Sequence, residues 1–170
     1  WGIINPMMTP ELFRQAMSLT ASGVSVITTD GPLGRSGLTV SSLCSLSMTP
    51  PSVVLCVHLD NRALPTFMEH GVFAVNVLAN DQAQIANVFA GAVAEHRENR
   101  FAVGEWTTLN SAAPVLEGAT CSFDCKLVDF KDFGSHRILI GEVIALENNT
   151  KSPLVYSERA FHRTAALAAV

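Results

Sequence analysis

Between Ser36 and Ser52 the chain reads SGLTVSSLCSLSMTPPS, and eight of those 17 residues carry a hydroxyl. No Asp, Glu, Lys or Arg occurs from Ser36 to Leu59. Exposed polar segments ordinarily carry charge for solvation, so polarity built from Ser and Thr alone points elsewhere. Interleaved with Leu, Val and Met, these hydroxyls suit a half-buried surface that gives short, neutral hydrogen bonds to a large ligand. The same composition also fits a Ser-rich sheet edge.

Other routes to chemistry are missing. There is no G-x-x-x-x-G-K-[ST] phosphate loop, and Gly31-Pro32-Leu33-Gly34-Arg35-Ser36-Gly37 reads as a hairpin loop rather than a dinucleotide fingerprint. No H-E-x-x-H and no G-x-S-x-G occurs, and the five histidines are scattered singly, so no metal site is expected. A cradle without an evident acid, base, nucleophile or metal is what a protein needs when a bound cofactor carries the reaction.

The cradle must be held by a core. At 170 residues the chain is expected to form a single domain spanning 1–170, with 48% hydrophobic and only 15% charged residues. That apolar surplus is expected in a subunit interface, because no apolar run approaches the roughly 18 residues of a membrane span. A net charge of −4 without a Lys/Arg cluster argues against nucleic acid or an anionic membrane as partner. Trp1–Met8 has no signal-peptide pattern, and a start at Trp1 suggests trimming. Cys44, Cys56, Cys121 and Cys125 fall at apolar, strand-like positions without C-x-x-C pairs, and read as reduced core residues of a cytoplasmic protein.

Thr9-Pro10-Glu11 starts a short amphipathic helix that runs to about Leu19. VSVITT reads as a strand ending at Asp30-Gly31-Pro32. The hydroxyl-rich segment and Val53–Leu59 read as two further strands about a Pro50-Pro51 corner. Asp60-Asn61 is expected to cap a helix through Met68–Glu69 with Gly71 past its end, and Asn80 a helix from Asp81 to about Ala90, with Val72–Leu78 a strand between them. Val93–Leu109 is a polar surface excursion. Strands over roughly Ala119–Phe130 and Arg137–Glu147, joined by Lys131–His136, precede a last strand at Leu154–Tyr156. Strands in runs with three short helices predict a mainly β fold, a Greek-key-like barrel with peripheral helices.

Gly37-Leu38-Thr39-Val40-Ser41-Ser42, then Ser45-x-Ser47, Pro50-Pro51 and Val53–Val57, resembles the flavin-binding segment of the short-chain flavin reductases. Phe73–Leu78, Gln82, Phe89-Ala90-Gly91, Arg100-Phe101, Pro114–Leu116, Gly134-Ser135-His136 and Gly141–Val143 follow in family order, from Phe13 to about Phe161. The resemblance implies an FMN-binding split barrel and a homodimer. It implies hydride transfer from NADH or NADPH to FMN or FAD, with reduced flavin passed to a transient partner, a flavin-dependent monooxygenase such as the 4-hydroxyphenylacetate enzyme.

Carried over by position, the resemblance places Thr39, Val40, Ser41 and Ser42, with Ser45 beside them, on the flavin's pyrimidine edge and ribityl chain. It places Cys56, Val57, Asp60, Asn61 and Arg62 along the ribityl and phosphate groups, and Phe89 and Ala90 at a flavin-contacting turn. Gly134, Ser135 and His136 would line the nicotinamide pocket, with His136 the residue nearest the chemistry and Phe161 at its border. Competing readings are a solvated surface Arg62, a core Phe89 and a hairpin-turn His136 without a role. Ser135 replaces the acid usual in the family's Gly-Asp-His, and Ala160 stands where an Arg is frequent. Two other readings share the pattern: a reductase that keeps its flavin and acts on another acceptor such as a corrinoid, and a flavin-binding module without reductase activity.

Overall fold

A computed structural model describes residues 7–167, so the reading of Trp1–Met8 falls mostly outside the described residues. Thr9 caps helix α1, Pro10–Ser18, its hydroxyl accepting the Leu12 N–H at 3.2 Å, with Pro at the first position and Glu11 in the first turn. Strands β1 (Ser22–Gly23), β2 (Ser25–Thr29), β3 (Ser36–Val40), β4 (Cys44–Met48) and β5 (Pro51–His58) follow. Then come α2 (Leu64–His70), β6 (Val72–Val77) and α3 (Ala83–Phe89). The remaining strands are β7 (Trp106–Thr107), β8 (Val115–Leu116), β9 (Cys121–Phe133), β10 (His136–Asn148), β11 (Leu154–Ser157) and β12 (Ala160–Arg163).

Seven strands form one antiparallel sheet in the order β3-β2-β6-β9-β10-β5-β4. Alternation along β5 buries Val53, Leu55 and Val57. These side chains join Leu38 and Val40 of β3, from the opposite edge of the sheet, in one core with Phe67 and Phe73. The sheet therefore curls until its two ends cover a common core, while edge strands β3 and β4 remain unpaired to each other. This is a split barrel. A second core outside it packs Val24, Val26 and Leu154 against Ile85, Val88 and Phe89 of α3.

Asn76 of β6, fully buried, ties several elements together. Its amide donates to Val26 O, the Thr28 hydroxyl and Pro114 O, and its Oδ1 accepts from Leu116 N at 2.8 Å and Ser122 Oγ at 2.9 Å. Asp124, also fully buried, accepts two 2.6 Å bonds from Ser111 N and Oγ. Among the described residues no buried side-chain nitrogen or oxygen lacks a hydrogen-bond partner, as a dry interior requires.

Several expectations need correction. The hydroxyl-rich stretch is two strands, broken at Ser41–Leu43, because Ser42 Oγ donates to Cys56 O and accepts from Cys56 N. Asn80 does not cap α3: its N–H pairs with Ser152 O, and Gln82 occupies the cap position, its side chain accepting the Ala79 N–H. Nor do Asp60-Asn61 cap α2, which begins at Leu64; Asn61 Oδ1 instead accepts the Ala63 N–H in a turn before the helix. Gly71 does end α2, in the left-handed conformation at φ 65°. The long strands extend to Phe133 and from His136, leaving only Gly134-Ser135 between them. All four cysteines are free, but only Cys125 is a buried core residue; Cys44 is exposed on edge strand β4.

Asn76→Ala would strand the Leu116 N–H and the Ser122 hydroxyl, and is expected to lower unfolding free energy by about 3 kcal/mol in urea titrations. Burial, with the neighbouring Asp124 charge, pushes the Cys125 thiol from 9.0 up to about 12. The unfolded thiol ionises first, so stability should fall as pH rises from about 9 toward 12, and Cys125→Ala should flatten that slope. Thiol-reagent labelling should reach Cys44 in the folded protein and Cys125 only after denaturation.

Candidate ligand-binding site

β3 is paired on one side only, to β2, so half of its backbone N–H and C=O groups face away from the sheet. α3 and the chain after it pack beside this free edge. Gly37 permits the approach: a Cβ there would sit 2.8 Å from the Phe89 ring and 2.9 Å from Ile27 O. Thr39 Oγ1 donates to Ala86 O at 2.7 Å, and Arg100 donates to Gly37 O at 3.1 Å and Phe89 O at 3.0 Å. The edge strand, the end of α3 and the 94–102 turns are thereby fixed as one wall.

The opposite wall is the Asp60–Ala63 segment that leaves β5. Between the walls lies a cleft of about 990 Å³. A smaller cavity of about 240 Å³, with Val40, Ser41, Tyr156 and Phe161 in its lining, shares Thr39 and Ala90 with it. Arg35, Arg62, Arg97 and Arg100 line the cleft against two carboxylates, Asp60 and Glu98. Arg35 is held by Asp30 at 3.0 Å and lies over the Phe101 ring at 5.7 Å. Arg62 and Arg97 are exposed and have no ion-pair partner among the described residues. The site therefore offers neutral backbone groups along β3 and a positive lining around them.

The β9–β10 tip adjoins this region through β5. His136 pairs with His58 across the strands, ring centroids 5.0 Å apart, and Ser135 Oγ lies 2.9 Å from His136 Nδ1. Ser135 O accepts the Leu59 N–H, and His58 Nδ1 accepts the Asp60 N–H at 3.1 Å. At the base of the tip, Arg137 grips Asp132 with two bonds, 2.6 and 2.9 Å, which hold that carboxyl below the usual carboxylate range. Arg137 also lies 4.6 Å over Phe130.

Thr39, Asp60, Asn61, Arg62, Phe89 and Ala90 thus meet in the cleft, and Val40, Ser41 and Phe161 in its annex. Ser42, Ser45, Cys56 and Val57 do not line either space. Val57 is buried in the barrel core, and the Ser42 hydroxyl fastens the break after β3 to Cys56. Gly134, Ser135 and His136 stand at the tip beside the Asp60 wall rather than in the cleft. Sequence reasoning passed over Arg35, Arg97, Tyr156 and His58. Arg100 stood within the quoted Arg100-Phe101 motif, the one signal that could have marked the 94–102 wall. Arg100→Met should lower stability by about 2 kcal/mol by removing two charge-assisted bonds to backbone, measured by denaturant titration, with far-ultraviolet dichroism unchanged.

The family model described as flavin reductase like domain matches residues 17–165. The FMN reductase (NADH) RutF of Ancylobacter novellus is 37% identical over 161 residues, covering 94% of this chain and 88% of that relative. A Haemophilus somnus 129PT protein described as a flavin reductase superposes with a TM-score of 0.88 at 35% identity, over 92% of this chain and 100% of that one. The Streptomyces globisporus NADH:FAD oxidoreductase SgcE6, solved with NAD and FAD fragments, gives a TM-score of 0.85 at 29% identity, covering 94% and 96%.

Proposed function

The chain is an oxidoreductase of the flavin reductase-like family, and from that premise we propose that it transfers hydride from NADH or NADPH to FMN or FAD and supplies reduced flavin to a separate monooxygenase. The observation that carries this is the uncharged free edge of β3 opening on a cleft with unpaired arginines. A flavin joins a flat, neutral heterocycle of alternating donors and acceptors to an anionic phosphate tail, and such a cleft offers a match for both parts. The Thr39 hydroxyl proton is engaged by Ala86 O, so its oxygen serves as acceptor, and the β3 backbone together with exposed Ser41 provides the donors. Arg62 would hold the flavin phosphate.

A bound flavin supplies the two-electron acceptor, and the protein's part is to bind, orient and exclude water. Backbone N–H groups of β3 would favour negative charge arising on the ring edge they face. His136, adjoining the Asp60 wall through His58, would contact the nicotinamide substrate. Exposed apolar side chains on β4, β9 and β10, Leu46, Met48, Val128, Phe130, Ile144 and Leu146, favour a homodimer that covers them. The family match over 17–165 supports reading these residues as one domain.

NADH or NADPH oxidation by the purified protein should require added FMN or FAD; no flavin-dependent turnover with either nucleotide would sink the proposal. Flavin that co-purifies stoichiometrically and survives dialysis would instead favour a reductase with a resident cofactor. His136→Ala should raise the nicotinamide KM about 5- to 150-fold with flavin affinity nearly intact. Ser41→Val should weaken flavin binding first, as read by fluorescence quenching.

A further inference from the structure

We propose that His70 is a positioning residue: its neutral ring latches the loop between β2 and β3 that carries Arg35 into the cleft lining, and protonation of the ring releases that loop. The Leu33 N–H, on the loop, donates to His70 Nε2 at 3.2 Å. A backbone amide can only donate, so Nε2 is bare and the proton of the neutral ring sits on Nδ1. Nδ1 lies 3.0 Å from Thr29 Oγ1, whose own proton goes to Val72 O at 2.7 Å. The three bonds therefore run in one direction, from the loop amide through the ring to β6. The ring also presses on the loop directly. A Cβ on Gly31 would meet it at 2.6 Å, and because Gly31 is outside the left-handed region, the ring alone excludes a side chain there.

A proton added at Nε2 turns the acceptor into a donor and sets it against the Leu33 N–H. No neighbouring charge compensates. Asp30 gives one carboxylate oxygen to the Gly31 N–H and the other to Arg35. Glu69, before His70 on α2, is exposed, and Lys126, opposite Val72 on β9, is itself a cation. Among the described residues no carboxylate pairs with His70. The latch is thus closed with the ring neutral and lost as pH falls through the range in which histidine charges.

What the latch positions is Arg35. Asp30 takes its Nε at 3.0 Å, and the guanidinium lies 5.7 Å over the Phe101 ring, where the loop meets the Arg100–Ala102 turn. Release of the loop takes away one of the four guanidinium groups that line the cleft. An anionic ligand then loses more affinity than a neutral one of the same shape. Only this last consequence, read with a flavin, rests on the flavin-binding reading above.

Nuclear magnetic resonance on the ligand-free protein tests the latch. The His70 ring nitrogens should show the Nδ1–H tautomer at about pH 8. Protection of the Leu33 amide against hydrogen exchange, corrected for the intrinsic rate, should fall about 10-fold between about pH 8 and about pH 5.5. The Nε2–H tautomer, or equal Leu33 protection at both pH values, would overturn the proposal. His70→Gln, whose amide oxygen accepts without titrating, should keep the Leu33 bond at both values, and His70→Ala should lack it at both. At about pH 8, His70→Ala should weaken FMN binding about 5-fold and riboflavin binding less than about twofold, with His70→Gln restoring FMN. Equal FMN affinity in wild type and His70→Ala would overturn the positioning of Arg35. Failure of the flavin reading has a different signature: neither flavin binds any of the three proteins, and the Leu33 exchange still decides the latch.

Discussion

The Asn76 side chain is the fixed point from which the site is built. Its donors and acceptors reach β2, the Pro114–Leu116 segment and β9 at once, inside an interior where an unpartnered amide would be costly. Because β3 hangs from β2 alone, the position of β2 sets the position of the free edge. The same segment carries Leu116 into the outer core against which α3 packs. One buried amide therefore aligns both the strand that offers the cleft its neutral hydrogen bonds and the helix that flanks it.

The character of the cleft follows from edge chemistry rather than from side chains alone. A central strand has its backbone groups satisfied on both sides; β3 retains a free set, and charged side chains beside them would compete for those groups. Their absence from Ser36 to Leu59 keeps the edge available. Cations enter from elsewhere, from the turn after β5 and from the 94–102 segment. The hydroxyls show a division of labour. Thr39, Ser42 and Ser52 donate to main-chain carbonyls and shape the cradle, while Ser41 stays exposed.

The 13-residue strands β9 and β10 serve both core and surface. Cys125 of β9 and Leu139 of β10 are buried in the barrel core, with Gly141 left bare because any Cβ would meet the Phe73 ring at 2.5 Å. Farther out the two strands expose apolar side chains and end at the His58–His136 contact. Rigid pairing thus carries His136 to the wall that begins at Asp60, although 76 positions separate the two in the chain.

The sequence by itself determined the longer strands, the first helix with its Thr9 cap, the Gly71 stop and the uncharged cradle, because period, capping and charge are local properties; the short strands β1, β7, β8 and β12 carried no such signal. The ordered motifs also carried the family resemblance. Helix starts at Asn80 and Asp60-Asn61 were misread for a tertiary reason. The Asn80 N–H is taken by Ser152, and Asn61 turns the chain before α2 rather than at its cap. What only the folded chain decided was the meeting of residues distant in sequence. Curling of the sheet brought Leu38 and Val57 into one core, and the Arg100 bonds to Gly37 and Phe89 placed Arg97 across one cleft from Arg62. No local signal encodes such a meeting, because it depends on how the closed sheet sums the twist and register of every strand between them.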